Sequence, residues 1–230
     1  MKQQYTDVTV LIDASGSMSS MASDVIGSMK EFINKQKETD GECTMTLVYF
    51  NSANPHEVVF ENQSIRSVSA PDQHSYRPSG GTPLIQAAIT AIECTGTRLK
   101  ELPKAARPEK VVFMIFTDGL ENASGFGFTR DRLAGMIKHQ EQKYNWQFSF
   151  LGCNFDAIEE GGNIGLAMAS SATYHASSLG LRSSVGMMAS KLASYRSSTS
   201  DSMGFTLEEQ ASLAGDPENS ESPPNETKLP

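Results

Sequence analysis

A chain of 230 residues with 38% hydrophobic side chains is long enough for one large domain or two small ones, and for a sizeable core. No apolar run approaches the roughly 20 residues that span a bilayer, no secretory signal is visible near the N-terminus, and three widely spaced cysteines, Cys43, Cys94 and Cys153, fit neither a disulfide framework nor a zinc site. The net charge of −8 gathers at one end, where residues 205–230 hold six acids and one base, so the body is too mildly acidic to offer nucleic acid a basic face.

Along the chain, short apolar runs alternate with helical patterns. Residues 8–12 form a candidate strand, and Met18, Met21, Val25, Met29 and Phe32/Ile33 follow at spacings of three and four, one face of an amphipathic helix. Residues 43–50 and 56–61 read as two more strands joined through the turn signal NSANP. That link is too short for a helical crossover, so the third strand should pair antiparallel at the sheet edge. A polar loop over 62–81 leads to a helix over 83–102, and residues 110–118 are almost continuously apolar, as in a central parallel strand covered on both faces. A helix over 129–143, a strand over 146–152, a short helix over 155–166 and a weak strand over 172–175 follow. A last helix over 179–197 carries Leu181, Val185, Met188, Leu192 and Tyr195 on its core side. The alternation predicts a single doubly wound α/β domain over residues 1–204: a mostly parallel sheet with one antiparallel edge strand and helices on both faces. Residues 205–230, rich in acids, proline and serine, are expected to form a disordered tail.

In such sheets ligands bind beyond the C-terminal strand ends, where the strand order reverses. Asp13 follows the first strand there, and Asp118 ends the fourth. Ser15 and Ser17 alternate with Asp13 in the same loop; in PSGGTPL, Gly80 and Gly81 allow a close backbone approach and Thr82 stands before Pro83 at a helix start. These five hard-oxygen donors suit Mg²⁺ or Mn²⁺ and are too poor in nitrogen and sulfur for structural zinc. Each hydroxyl taken alone also reads as a helix cap. The two carboxylates are harder to explain that way, because at adjacent strand ends they repel unless a cation or a proton lies between them. Glu121 reads as an exposed or capping residue rather than a ligand, and Asn122 as one that orders the same loop.

DASGS at Asp13 to Ser17, the threonine of GGTPL at Thr82 and the aspartate of TDG at Asp118, in this order and on these elements, resemble the metal-ion-dependent adhesion site of von Willebrand factor A domains. The likeness covers roughly residues 5–196. It implies a divalent cation held partly by hydroxyls and waters, with one position open to a Glu or Asp of a protein partner. In this family, changes at the metal can be coupled to movement of the last helix. Stand-alone intracellular A domains of bacterial type share the layout, some as partners of AAA+ ATPases or in stress systems such as tellurium resistance. The expectation is therefore a cytoplasmic, noncatalytic, Mg²⁺-dependent protein-binding module without nucleic-acid or membrane partners. Two other readings stay open. One is a Mg²⁺-dependent hydrolase of phosphoesters, although the sequence offers no general base, no G-x-S-x-G elbow and no P-loop lysine. The other is an extracellular adhesion domain.

Overall fold

In a computed structural model that describes residues 1–215, the six strands form one sheet in the order β3-β2-β1-β4-β5-β6. These are β1 (Lys2–Asp13), β2 (Glu42–Phe50), β3 (Glu57–Ser64), β4 (Pro108–Thr117), β5 (Gln147–Gly152) and β6 (Ser171–Thr173). Only the β2–β3 pairing is antiparallel, and it lies at the sheet edge as the short link between those strands requires. The chain builds outward from β1 to β3, then crosses back to place β4 on the other side of β1. The β1–β4 junction is thus where the winding reverses.

Side-chain alternation divides the core into two layers. Val8, Val10 and Ile12 of β1, with Val112, Met114 and Phe116 of β4, face α1 (Ala22–Glu38) and α5 (Ser178–Arg196). Leu11, Val111, Phe113 and Ile115 face the opposite way, toward α2 (Leu84–Glu101), α3 (Arg130–Tyr144) and α4 (Ala157–Asn163). A strand buried on both faces can be apolar at nearly every position, which explains the unbroken run in β4. Three methionines are fully enclosed in the first of these layers: Met18 of the 3₁₀ turn Gly16–Met21, Met29 of α1 and Met188 of α5.

One boundary differs from the expectation. Residues 205–215 belong to the domain, because Leu213 of α6 (Leu207–Ala214) and Phe205, just before the helix, are buried in the α1/α5 layer. Thr206 and Glu209 close a reciprocal capping box, Lys191 pairs with Glu209, and the Gln210 amide donates to the carbonyls of Met168 and Ser171. With Leu213 the one buried apolar residue in so short a helix, the acidic composition outweighs the periodicity when the sequence is read alone. The remainder of the expected tail, residues 216–230, lies outside the described residues.

Candidate metal centre

Three loops close over the β1–β4 junction. The first leaves β1 and is pinned to the loop preceding α2: Gly16 N–H donates to Gly80 O at 2.9 Å and Ser79 N–H to Ala14 O at 2.8 Å. Gly80 has φ +69°, and a Cβ on Gly81 would stand 2.7 Å from Asn122 Oδ1, so this approach requires glycine. The second loop is fastened to the third: Thr82 N–H donates to Asn122 Oδ1 at 2.8 Å, and Asn122 N–H returns a bond to Thr82 O at 3.1 Å.

Within this frame the predicted donors converge. Ser15 N–H donates to Asp13 Oδ1 at 2.7 Å, the Ser15 and Ser17 hydroxyls are 3.1 Å apart, and Ser17 Oγ donates to Asp118 Oδ1 at 2.7 Å. A Cβ on Gly119 would lie 3.3 Å from Thr82 Oγ1, which sets that hydroxyl against the residue following Asp118. The capping alternative does not describe these hydroxyls. Neither the 3₁₀ turn Gly16–Met21 nor α1 nor α2 has a side-chain N-cap bond. The serine oxygens point at each other and at Asp118 instead.

Asp13 is fully buried, Asp118 is nearly so, and neither enters an ion pair among the described residues. Burial pushes the Asp13 carboxyl up to about 6, against hydrogen bonds from Thr117 and Ser15 that favour its charge. Burial also raises Asp118, with the Ser17 hydroxyl acting in the opposite sense. Two enclosed acids, surrounded by hydroxyls and lacking a base, fit a hard divalent cation. Among the described residues no three His, Cys, Asp or Glu side chains converge, here or elsewhere; at this site the two acids are joined by hydroxyl oxygens instead.

Supporting residues escaped the sequence reading. Thr117 Oγ1 donates to Asp13 Oδ2 at 2.6 Å, Tyr76 OH donates to Asp13 O at 2.5 Å, and Asn154 Nδ2 donates to Asp118 O at 3.2 Å. Glu121 proves to be a cap with a long reach: Oε2 accepts from Ile85 N–H in the first turn of α2, and Oε1 accepts from Ala123 and Ser124 N–H, at 2.7 to 2.8 Å. Ser124 Oγ accepts from Gln86 N–H and Gly125 N–H donates to Gln86 Oε1, extending the seam. This well-anchored loop displays two large apolar side chains to solvent, half-exposed Leu120 and fully exposed Phe126.

Solved structures similar to the chain include a von Willebrand factor type A protein from Catenulispora acidiphila, 17% identical over 81% of this chain and 42% of that one, with a TM-score of 0.54. The fold is von Willebrand factor A-like. Proximal thread matrix protein 1 from the mussel byssus, in a structure described as having a zinc-occupied MIDAS motif, matches at 16% identity and a TM-score of 0.55, over 82% of this chain and 46% of that one. The pilus adhesin SpaC from Lactobacillus rhamnosus GG matches at 12% identity and a TM-score of 0.61, over 84% of this chain and 30% of that one. The chain spans less than half the length of each of these proteins. No protein-family model matches the sequence, and no curated sequence is similar to it. On an A-like fold the five candidate donors lie at the edge of the sheet where the strand order reverses, the place where open α/β sheets take ligands.

Proposed function

We propose that this protein is a noncatalytic, cytoplasmic binding module in which Asp13, Ser15, Ser17, Thr82 and Asp118 hold Mg²⁺ or Mn²⁺ and present it to a Glu or Asp of a protein partner. The observation that carries this reading is the pair of buried acids without a base, bridged by serine hydroxyls that cap no helix. Two carboxylates and neutral hydroxyls leave the cation attractive to a further carboxylate. Leu120 and Phe126, held on the loop that carries Asp118, offer apolar contact beside it, the kind of anchored aromatic that dominates binding surfaces. The three cysteines are unpaired, which suits a reducing compartment.

Thermal unfolding with and without the cation tests the proposal. At a concentration 100-fold above Kd the cation should stabilise the fold by about 2.7 kcal/mol, which for a chain of this size raises Tm by roughly 5 to 10 °C. Asp118→Ala should lose the rise. A wild-type protein indifferent to Mg²⁺ and Mn²⁺ would overturn the reading, and Mg²⁺-dependent phosphoester turnover that disappears in Asp13→Ala would replace it with the hydrolase.

A further inference from the structure

Thr117 is the last residue of β4 and is fully enclosed. Phe116 pairs with Ile12 across the β1–β4 junction, so the next residues, Thr117 and Asp13, stand side by side where both strands end. Each oxygen of the Asp13 carboxylate meets a donor there: Oδ1 accepts from Ser15 N–H at 2.7 Å, and Oδ2 accepts from Thr117 Oγ1 at 2.6 Å. The Thr117 hydroxyl also lies 2.9 Å from Gly119 O and accepts from Gly119 N–H at 3.1 Å. A hydroxyl has a single proton to give. An ionised carboxylate is the stronger acceptor, and here the closer one, so the proton goes to Asp13. The turn around Asp118 is thereby clipped to Asp13 through a relay that runs from Gly119 N–H by way of Thr117 to Oδ2.

From this geometry we propose that Thr117 is a positioning residue that sets which cation the centre accepts, favouring Mg²⁺ and Mn²⁺ over Ca²⁺. The inference rests on the metal-binding reading above. Ca²⁺ takes roughly six to eight oxygens at about 2.3 to 2.6 Å in flexible geometry and readily uses both oxygens of one carboxylate, whereas Mg²⁺ demands a near-ideal octahedron at about 2.0 to 2.1 Å. A carboxylate whose two oxygens are each held by a donor can chelate a large ion only by giving up one of those bonds. Thr117 therefore denies Ca²⁺ the bidentate contact with Asp13. Its bond from Gly119 N–H holds the turn that carries Asp118, so the spacing of the two acids is fixed by the same hydroxyl. Neither effect requires Thr117 to touch the cation. A hydroxyl that served only the turn would hold Gly119 and leave the choice of ion unchanged.

The test measures Mn²⁺ and Ca²⁺ affinities by calorimetry in the full chain, wild type and with Thr117→Val, Thr117→Ala or Thr117→Ser, and follows the fold through Tm in chelator. Loss of a hydrogen-bond partner of a metal-binding carboxylate typically lowers affinity by about 10- to 100-fold. Thr117→Val should lose about tenfold for Mn²⁺ and much less for Ca²⁺, since the freed Oδ2 can join the larger ion, and the Mn²⁺/Ca²⁺ affinity ratio should fall by about fivefold or more. Thr117→Ala removes the same hydroxyl with a smaller side chain and should match valine, which keeps the comparison if the valine variant does not fold. Thr117→Ser keeps the hydroxyl and should hold the ratio within about twofold of wild type. Equal losses for both ions, together with a lowered Tm in chelator, would make Thr117 a structural residue of the turn and overturn the proposal. So would a serine variant that folds without keeping the ratio, or a wild type that binds Ca²⁺ as tightly as Mn²⁺. Mn²⁺ bound by wild type with the ratio unmoved in valine and alanine fails this inference alone; a wild type that binds neither ion fails the metal-centre reading with it.

Discussion

An acid enclosed beside another acid must be neutralised by a proton, a base or a cation, and Asp13 has no base. Without a divalent ion its carboxyl titrates at about 6, above the usual 3.8, so the folded protein binds this proton more tightly than the unfolded chain does. The resulting stability is full below about pH 4 and is lost as pH rises through about 6, on the order of 2 to 3 kcal/mol. In chelator, wild type should therefore gain stability between pH 7 and pH 5 relative to Asp13→Asn, and a bound cation should shift that gain to lower pH. Parallel Tm curves for the two proteins in chelator would contradict the assignment. The five candidate donors could be singled out in the sequence because Asp13 stands at a strand end and Ser15, Ser17, Thr82 and Asp118 each stand beside a glycine. Thr117, Tyr76 and Asn154 were not, since their bonds to Asp13 and Asp118 span 104, 63 and 36 positions, and no local pattern marks them.

Among the elements, the loop after β4 and the N-terminus of α2 behave as one unit. The residue at the N-cap position of α2, Pro83, provides no side-chain bond, and Glu121 supplies an acceptor from 36 positions away. A carboxylate at a helix N-terminus also interacts favourably with the helix dipole. Glu121→Ala should cost about 2 kcal/mol in denaturant unfolding and weaken cation binding, because Thr82 and Asp118 lose their common anchor. Glu121→Gln, which keeps an acceptor, should recover part of both. A Glu121→Ala protein with unchanged cation affinity would show that the two loops are placed independently. At the other end of the molecule, Arg196 of α5 is buried and gives its guanidinium to Gln36 Oε1 and to the carbonyls of Gln36, Thr39 and Gly41 at the end of α1. Together with Asp24, which accepts from Ser178 and Arg182, it fastens α1 to α5 at both ends. The helices themselves were readable from period and spacing; these fastenings, and α6, depend on partners distant in sequence.

Across the whole molecule, the site and the stability of the sheet are separable. Asp7, buried in β1, receives both Nη1 and Nη2 of Arg98 at 2.8 and 2.9 Å, six residues from Asp13 and so roughly 20 Å away. Removing the cation partner strands an enclosed carboxylate, and Arg98→Ala should destabilise the fold by about 3 to 5 kcal/mol. The increment in Tm given by Mg²⁺ should survive, counted from the variant's own lowered Tm in chelator. Loss of that increment would mean that the two ends of β1 are coupled. The direction of the strands has a further, practical consequence. Lys2 lies at one edge of the sheet, where its N–H bonds to Arg107 O, and Gly215 lies at the edge that carries the three loops. The two ends are separated by the length of β1, roughly 40 Å for its twelve residues. A biosensor chip or fluorophore coupled at residue 1 therefore leaves the loops open to the solution, whereas one coupled just after α6 would crowd them.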